Sequence, residues 1–269
     1  MDKPLAGRVA VVAGASRTIG WGSAVELAAA GAYVYAVGRT LSPGTGEAKG
    51  SLTETLADIR AAGGDGAAVA CDCTDDAALG ELFARVQAEK DRLDVLVNSV
   101  FSATTLAPTI GKRFWETPAG LWRDVVDVGA GSAYLASRRA APLLMETARR
   151  EGRTTLIVNV SGRAALKYRY NVVYGVGKAA TERLTRDMAL DLEGENVAVV
   201  SIWPNGAPKD PKETSRYSGR AATALAIDPD VASVSGRYFW SAELGEKHGF
   251  TDEFGNPHEV PALEDFFAR

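Results

Sequence analysis

Short apolar runs alternate with longer segments of mixed polarity along almost the whole chain. The runs are continuous stretches rich in Val and Ala, without the apolar–polar alternation of a strand that has one wet face. Such runs are typical of strands buried on both faces of a parallel sheet. Seven of them predict strands, at 8–13, 33–37, 67–70, 93–97, 155–160, 197–203 and 235–240.

The segments between the strands have the composition and the end signals of helices. Glycines follow several of them, at Gly31, Gly63 and Gly194, where a helix ends easily. The predicted helices cover 21–30, 52–62, 75–88, 118–150 and 174–192. Strands that alternate with helices predict an α/β fold, with a doubly wound parallel sheet of about seven strands and helices on both faces.

The pattern continues without a break, so we expect one domain over residues 1–269. Two polar segments, at 42–50 and 205–219, are predicted to be loops, and the second would be a short substrate loop. The net charge is −4 and no long basic run occurs, which argues against a nucleic-acid or membrane partner. No apolar stretch reaches roughly 18 residues and no secretory signal is present, so a cytoplasmic protein is expected.

The first predicted strand runs directly into a glycine-rich turn, residues 14–20. In a doubly wound sheet this turn binds the pyrophosphate of a dinucleotide, because glycines let the backbone approach the phosphates and the helix start attracts negative charge. The candidate ligands are Gly14, Ser16, Arg17, Thr18, Ile19 and Gly20.

The end of the second strand carries an arginine where an acidic residue would bind the ribose hydroxyls of NAD. Arg39 stands there, and Arg17 in the turn can reach the same region. Because arginine suits a 2′-phosphate, the pair favours NADP(H) over NAD(H). The alternative is that both arginines are solvated loop residues.

Tyr174 and Lys178 are four residues apart at the start of a predicted helix, on one helix face. A nearby ammonium favours the phenolate, so the pair can exchange a proton with a carbonyl or alcohol oxygen. Ser161, at the carboxyl end of the fifth strand, can hydrogen-bond the same oxygen. The alternative is a packed tyrosine beside a surface lysine. Cys71 and Cys73 are too close for an ordinary disulfide, and they lack the partners of a zinc site, so no metal is expected.

In order and spacing these residues resemble the short-chain dehydrogenase/reductase family, together with Cys71-Asp72 and Leu96-Val97-Asn98. The resemblance implies a Rossmann-type fold, carbonyl reduction or alcohol oxidation, a small-molecule carbonyl or alcohol substrate, and a homodimer or homotetramer. It also implies that Lys178 binds the nicotinamide ribose and that Asn98 supports the cofactor and the sheet. Further cofactor contacts are implied for Asp72, Cys73, Tyr174 and Pro204.

The chain departs from the family pattern at several positions. Thr18 replaces a glycine of the turn, Gly129 stands where a catalytic asparagine is expected, and the lid segment is short. A non-catalytic dinucleotide-binding sensor or assembly subunit with a degenerate site therefore stays open, as does another redox-linked reaction such as epimerisation. The aromatic residues Phe101, Tyr168, Tyr170 and Trp203 are predicted to line an apolar substrate pocket, or else to be ordinary packing residues.

Overall fold

A computed structural model describes residues 3–44, 50–205 and 213–261 of the chain. Within these residues seven parallel strands form one sheet, in the order β3-β2-β1-β4-β5-β6-β7. The strands are β1 Val9–Ala13, β2 Tyr33–Gly38, β3 Asp65–Ala70, β4 Val95–Asn98, β5 Thr155–Val160, β6 Val197–Trp203 and β7 Tyr238–Trp240. The predicted fold class is confirmed. The strand order reverses between β1 and β4, which is where α/β sheets open a ligand crevice.

Helices cover both faces of the sheet. They are α1 Thr18–Ala29, α2 Leu52–Ala61, α3 Asp76–Lys90, α4 Ala103–Leu106, α5 Ser132–Glu151, α6 Val172–Asp191, α7 Ser215–Ile227 and α8 Ser241–His248. Because successive side chains of a strand point to opposite faces, Val12 packs in the cluster of Leu27 and Leu225, and Val11 packs in the cluster of Leu144. Both layers of the core are therefore built from the same strands.

The long helix predicted over 118–150 is not one regular helix. The chain passes through a π-helical segment, Arg123–Gly131, before α5 begins at Ser132. Gly129 and Gly131 lie in this segment, and glycine is among the weakest formers of a regular helix. The wider turns bring residue 129 to the wall of a small cavity described below.

The loop predicted over 205–219 is shorter than expected. Residues 206–212, like 45–49 of the other predicted loop, lie outside the described residues, and α7 already begins at Ser215. The α7 helix packs closely on α1, since an added Cβ at Gly219 would collide with the Gly22 carbonyl. Arg216 and Arg220 also bind Glu26 of α1, at 2.5 and 3.3 Å.

None of the helices in the described ranges has the length and apolarity to cross a bilayer. Among the same residues no group of three or more His, Cys, Asp or Glu side chains is arranged to hold a metal ion.

Candidate active site

A cleft of about 220 Å³ opens at the carboxyl ends of the central strands. It lies where β1 and β4 separate, as expected at the switch point of such a sheet. The residues predicted from sequence that line this cleft are Thr18, Ile19, Phe101, Ser161, Tyr170, Tyr174, Lys178 and Pro204. Parts of the chain far apart in sequence thus meet around one space.

The start of α6 is held by a buried asparagine. The Asn171 side chain accepts a hydrogen bond from the Tyr174 backbone N–H at 2.9 Å, and its Nδ2 donates to Thr109 Oγ1, also at 2.9 Å. Asn171 is 1% exposed. A helix cap that is itself anchored fixes the first turn, and Tyr174 lies in that turn.

Lys178 lies one turn further along α6, and its ammonium is enclosed. Its Nζ donates to the Val160 carbonyl at 3.2 Å and lies 5.4 Å from the centre of the Phe101 ring. Burial lowers the pKa of Lys178 to about 8, and Glu182 opposes this by favouring the charged form. The amine is therefore still largely protonated at neutral pH.

Tyr174 does not have the lowered pKa expected from a neighbouring lysine. Burial raises its pKa to about 12, Tyr170 adds to the rise, and Arg169 opposes it. Removal of water from the phenolate outweighs the attraction of Arg169, because desolvation penalises only the charged form. At neutral pH the phenol holds its proton, which suits donation to a carbonyl oxygen.

Ser161 lies on the cleft wall next to Lys178. It is 5% exposed, and its hydroxyl donates to the Lys178 backbone carbonyl at 3.3 Å. A serine hydroxyl has one proton to donate, so Ser161 must rotate before it can donate to a substrate oxygen.

A second cavity, of about 20 Å³, lies behind Tyr174 and Lys178. Asn98 lines it; its Nδ2 donates to Ser137 Oγ and to Asn159 Oδ1, both at 2.9 Å, and its Oδ1 is buried without a hydrogen-bond partner among the described residues. Gly129 lines the cavity too, and an added Cβ there would meet nothing within 4 Å. The volume fits one water molecule, and Asn98, Tyr174 and Lys178 are the polar lining residues nearest the proposed chemistry.

The turn before α1 has the form of a phosphate cradle. A Cβ atom added at Gly20 would collide with the Gly14 carbonyl, and one added at Gly14 would lie 2.5 Å from the Ser99 carbonyl oxygen. The α1 helix begins without a side-chain cap and without an acidic residue in its first turn. Such an open helix end fits the pyrophosphate of a dinucleotide. Thr18 has a φ of 44°, in the left-handed region that favours glycine.

The remaining predicted cofactor residues surround the ends of β2 and β3. Arg39 is exposed. A hydrogen bond to Cys71 and burial raise the pKa of the buried Cys73 thiol, and the positive charge of Arg39 opposes this rise. The Asp72 carboxylate accepts hydrogen bonds from the N–H and hydroxyl of Thr74.

The other two residues of this group lie on the turn itself. Ser16 lies beside β2, with its Oγ 3.9 Å from the position of an added Cβ at Gly38. Arg17 contacts the backbone near Gly50, where an added Cβ would be 2.7 Å from Arg17 Cγ. Ser16 and Arg17 therefore stand on the side of the turn that faces the adenine half of a dinucleotide.

Two of the predicted substrate residues lie away from the cleft. Trp203 is 1% exposed; its Nε1 donates to Glu182 Oε1 at 2.7 Å and its ring stacks on Tyr238. Tyr168 is 69% exposed and is not part of the cleft wall. For these two residues the structure corrects the predicted position: Trp203 is a packing residue, and Tyr168 is a surface residue.

Three charged residues of the cleft wall were not among the site residues named from the sequence. Arg163, Arg169 and Glu213 all line it. The sequence did offer a signal for Arg163. It lies two residues after Ser161 at the end of a central strand, where α/β sheets bind ligands.

The comparison with protein families decides the class of this molecule. The family model described as short chain dehydrogenase matches residues 8–214. The chain belongs to the short-chain dehydrogenase family. It is thus an oxidoreductase of a family that uses nicotinamide cofactors and small-molecule substrates. The mouse protein Dehydrogenase/reductase SDR family member 1 is 35% identical over 100% of this chain and 88% of its own length.

Solved structures similar to this chain include complexes with both nicotinamide cofactors. A metagenomic short-chain oxidoreductase in complex with NADP has a TM-score of 0.71 and 25% identity, over 88% of this chain and 97% of that one. An NADH-dependent reductase, A1-R′, complexed with NAD has a TM-score of 0.75 and 22% identity, over 89% and 97%. The choice between the two cofactors is therefore not decided by these likenesses.

Proposed function

We propose that this short-chain dehydrogenase transfers hydride between NADP(H) and a carbonyl or alcohol substrate. The observation that carries the proposal is that Ser161, Tyr174 and Lys178 line one cleft beside the open N-terminus of α1. When bound, the nicotinamide supplies or accepts the hydride at the carbonyl carbon. The chain has to hold the oxygen of that carbonyl and move its proton.

Tyr174 is the proton donor of the reduction. Its phenol is neutral at physiological pH because burial raises the pKa to about 12. Ser161 turns its hydroxyl from the Lys178 carbonyl to the substrate oxygen, which then has two donors. Lys178 stays charged beneath the phenol and, as the family resemblance implies, binds the nicotinamide ribose.

The family resemblance implies an asparagine at the position of Gly129, and a water molecule in the 20 Å³ cavity would take over its role. A water molecule in it would accept a hydrogen bond from Lys178 Nζ and donate one to the free Oδ1 of Asn98. That water would return a proton to the Tyr174–Lys178 pair after each reduction. The proposal therefore needs no side chain at Gly129.

The preference for NADP(H) rests on Arg17 and Arg39, which form no salt bridge within residues 3–44, 50–205 and 213–261. Their charges would bind the 2′-phosphate that distinguishes NADPH from NADH.

Titration of the protein with NADPH and NADH, followed by nicotinamide fluorescence, tests this preference. We expect NADPH to bind roughly 10- to 100-fold more tightly, as charge-assisted hydrogen bonds allow. Arg39→Ala should remove most of the difference, while Arg60→Ala, an exposed arginine of α2, should not. Equal affinities in the unmodified protein would refute the NADP(H) assignment.

A non-catalytic dinucleotide sensor or assembly subunit is the second candidate, and the left-handed φ of Thr18 favours it. A side chain in that strained turn would crowd the pyrophosphate. The two candidates differ in turnover: a panel of aldehydes and ketones with NADPH and NADH should give reduction if the first is right. Cofactor binding without reduction of any member would support the second.

A homodimer or homotetramer is proposed through α5 and α6. Tyr134 on α5 and Val176 and Leu190 on α6 expose 48%, 38% and 68% of their surface. Exposed apolar side chains along two long helices are typical of an oligomer interface. Sedimentation equilibrium measures the mass in solution, and a monomer at micromolar concentration would contradict the proposal.

A further inference from the structure

Two arginines of the cleft wall have no carboxylate partner among the described residues. Arg163 and Arg169 line the same cleft as Tyr174 and are both half-buried. Arginines elsewhere, such as Arg92 and Arg139, bind carboxylates at close range. Within the part of the chain that the structure describes, no salt bridge joins Arg163 or Arg169 to an acidic residue.

The position of each arginine is set by local structure. Arg163 begins a short 3-10 turn, Arg163–Ala165, directly after Ser161 and Gly162. Arg169 donates from Nη2 to the Tyr170 hydroxyl at 3.1 Å, and its guanidinium carbon lies 4.8 Å from the centre of that ring. Its positive charge also opposes the rise that burial causes in the pKa of the Tyr174 phenol. Arg163 thus lies two residues after Ser161, and Arg169 contacts Tyr170, whose ring centre lies 5.0 Å from that of Tyr174.

The one acidic residue that we find on the described cleft wall does not neutralise them. Glu213 Oε1 accepts from Ser218 Oγ and its Oε2 from the Asn205 backbone N–H, both at 2.6 Å. Burial raises the pKa of Glu213, which favours its neutral form. Both of its oxygens accept hydrogen bonds within the protein, and among the described residues no carboxylate pairs with either arginine.

We propose that the substrate carries an oxyanion group, a carboxylate or a phosphate, which Arg163 and Arg169 bind while the carbonyl group lies against Tyr174. This inference rests on the proposed function and names its substrate class. A half-buried guanidinium without a counter-charge is costly, and its planar fork matches two oxygens of such a group. The aromatic rings of Phe101 and Tyr170 would pack against the apolar part of the substrate.

Matched acid and ester substrates test the proposal directly. We would compare phenylglyoxylate, 3-benzoylpropionate and 4-benzoylbutyrate with their methyl esters, using NADPH, and measure kcat/KM for each. The three acids place the charge at increasing distances from the carbonyl. At least one acid should exceed its ester by roughly tenfold or more, as charge-assisted hydrogen bonds allow. The phosphonate analogue of the best acid then distinguishes a carboxylate from a phosphate site.

Variants assign that preference to the two arginines. In Arg163→Gln and in Arg169→Gln the ratio of acid to ester kcat/KM should fall toward one, while the exposed α2 variant Arg60→Gln keeps it. An acid-to-ester ratio near one in the unmodified enzyme, or a ratio that neither variant changes, overturns the proposal. A loss of NADPH affinity in both variants, with the ratio unchanged, would assign the arginines to the cofactor and overturn it too.

A binding measurement separates this inference from the proposed function. If no carbonyl compound is reduced, the proposed function fails, and calorimetric titration of the NADPH-loaded protein with 4-phenylbutyrate and its amide decides the inference alone. Binding of the acid that exceeds binding of the amide, and that is lost in the Arg163→Gln/Arg169→Gln double variant, supports it. Equal binding of acid and amide refutes it.

Discussion

The two helices that begin at the cleft start in opposite ways. The first turn of α6 is held by Asn171, which accepts from the Tyr174 N–H and is itself anchored to Thr109. The first turn of α1 has no side-chain cap and no acidic residue, and Thr18 enters it with a left-handed backbone. At α6 a side chain binds an N–H group of the first turn, and at α1 no side chain does so.

The difference separates two tasks that a helix N-terminus can perform. At α6 the cap fixes the backbone under Tyr174, so the phenol is aimed by groups that stay in place. At α1 a cap would occupy the N–H groups that an anionic ligand needs, so an open end serves a bound phosphate. We expect substitutions at α6 to affect turnover and stability, and substitutions at α1 to affect nucleotide binding.

Tyr174→Phe, in the first turn of α6, should have the largest effect on turnover. The variant keeps the ring and loses the proton that the phenol holds at neutral pH. General acid catalysis contributes roughly 10²- to 10⁴-fold, so kcat should fall by about 10³-fold. Steady-state reduction of a carbonyl substrate measures the loss, and titration with NADPH should show an affinity close to that of the unmodified protein. Unchanged kcat would remove Tyr174 from the mechanism.

The pH dependence of stability should report the burial of Lys178. Its pKa is about 8 in the folded protein and about 10.4 in an unfolded chain, so between these values the unfolded state binds more protons. Stability then rises with pH, and the contribution of this group should grow by about 2 kcal/mol from pH 7 to pH 9.5. Urea unfolding of the unmodified protein and of Lys178→Met at both pH values measures it.

The control for this experiment is an exposed lysine, Lys112. The difference in unfolding free energy between the unmodified protein and Lys112→Met should stay constant over the same pH range. A constant difference for Lys178→Met as well would mean that the Lys178 ammonium is not desolvated.

Asn171→Ala tests whether the cap of α6 has more than a structural role. Loss of the cap and of the bond to buried Thr109 should lower the free energy of unfolding by about 2 kcal/mol. Asp75→Ala removes the exposed cap of α3, which accepts from Ala77 N, and should cost about 1 kcal/mol. Only Asn171→Ala should also lower kcat, and equal kcat in the two variants would count against positioning.

Central strands were the part of the fold that sequence predicted best. The structure has β5 at Thr155–Val160 and β6 at Val197–Trp203, with the predicted bounds. Both lie inside the sheet and are buried on both faces, so their apolar runs end where the strands end. The edge strand β7 was predicted three residues too long at its start, because Ser235–Arg237 is polar chain that precedes it.

The helix α7 was not predicted because its contacts with α1, and not its local sequence, make these residues helical. Its first residues, 215–219, include two serines and a glycine, which are common in loops. They are helical because Gly219 lets α7 approach α1 closely at Gly22, and because Arg216 binds Glu26. A partner helix almost 200 residues earlier in the chain leaves no mark on the local pattern.

The spacing of polar residues identified much of the cleft, and side-chain direction limited the rest. Ser161, Tyr174 and Lys178 were predicted from their places at the ends of elements, and they line one cleft. Trp203 ends β6 but shares a face with Ser201, and both side chains donate to Glu182. Because residues i and i+2 of a strand point the same way, only the register of the sheet shows that this face is packed.

Thr18→Gly should give the smallest effect, and it tests whether the start of α1 binds the nucleotide through its backbone alone. Glycine adopts the left-handed φ of 44° without the Cβ clash, so stability should rise by up to about 1 kcal/mol and NADPH should bind more tightly. Asn196→Gly, at another left-handed position, controls for relief of strain alone and should leave NADPH affinity unchanged. Weaker NADPH binding in Thr18→Gly would instead mean that the threonine hydroxyl binds the pyrophosphate, so that the open helix end is completed by a side chain after all.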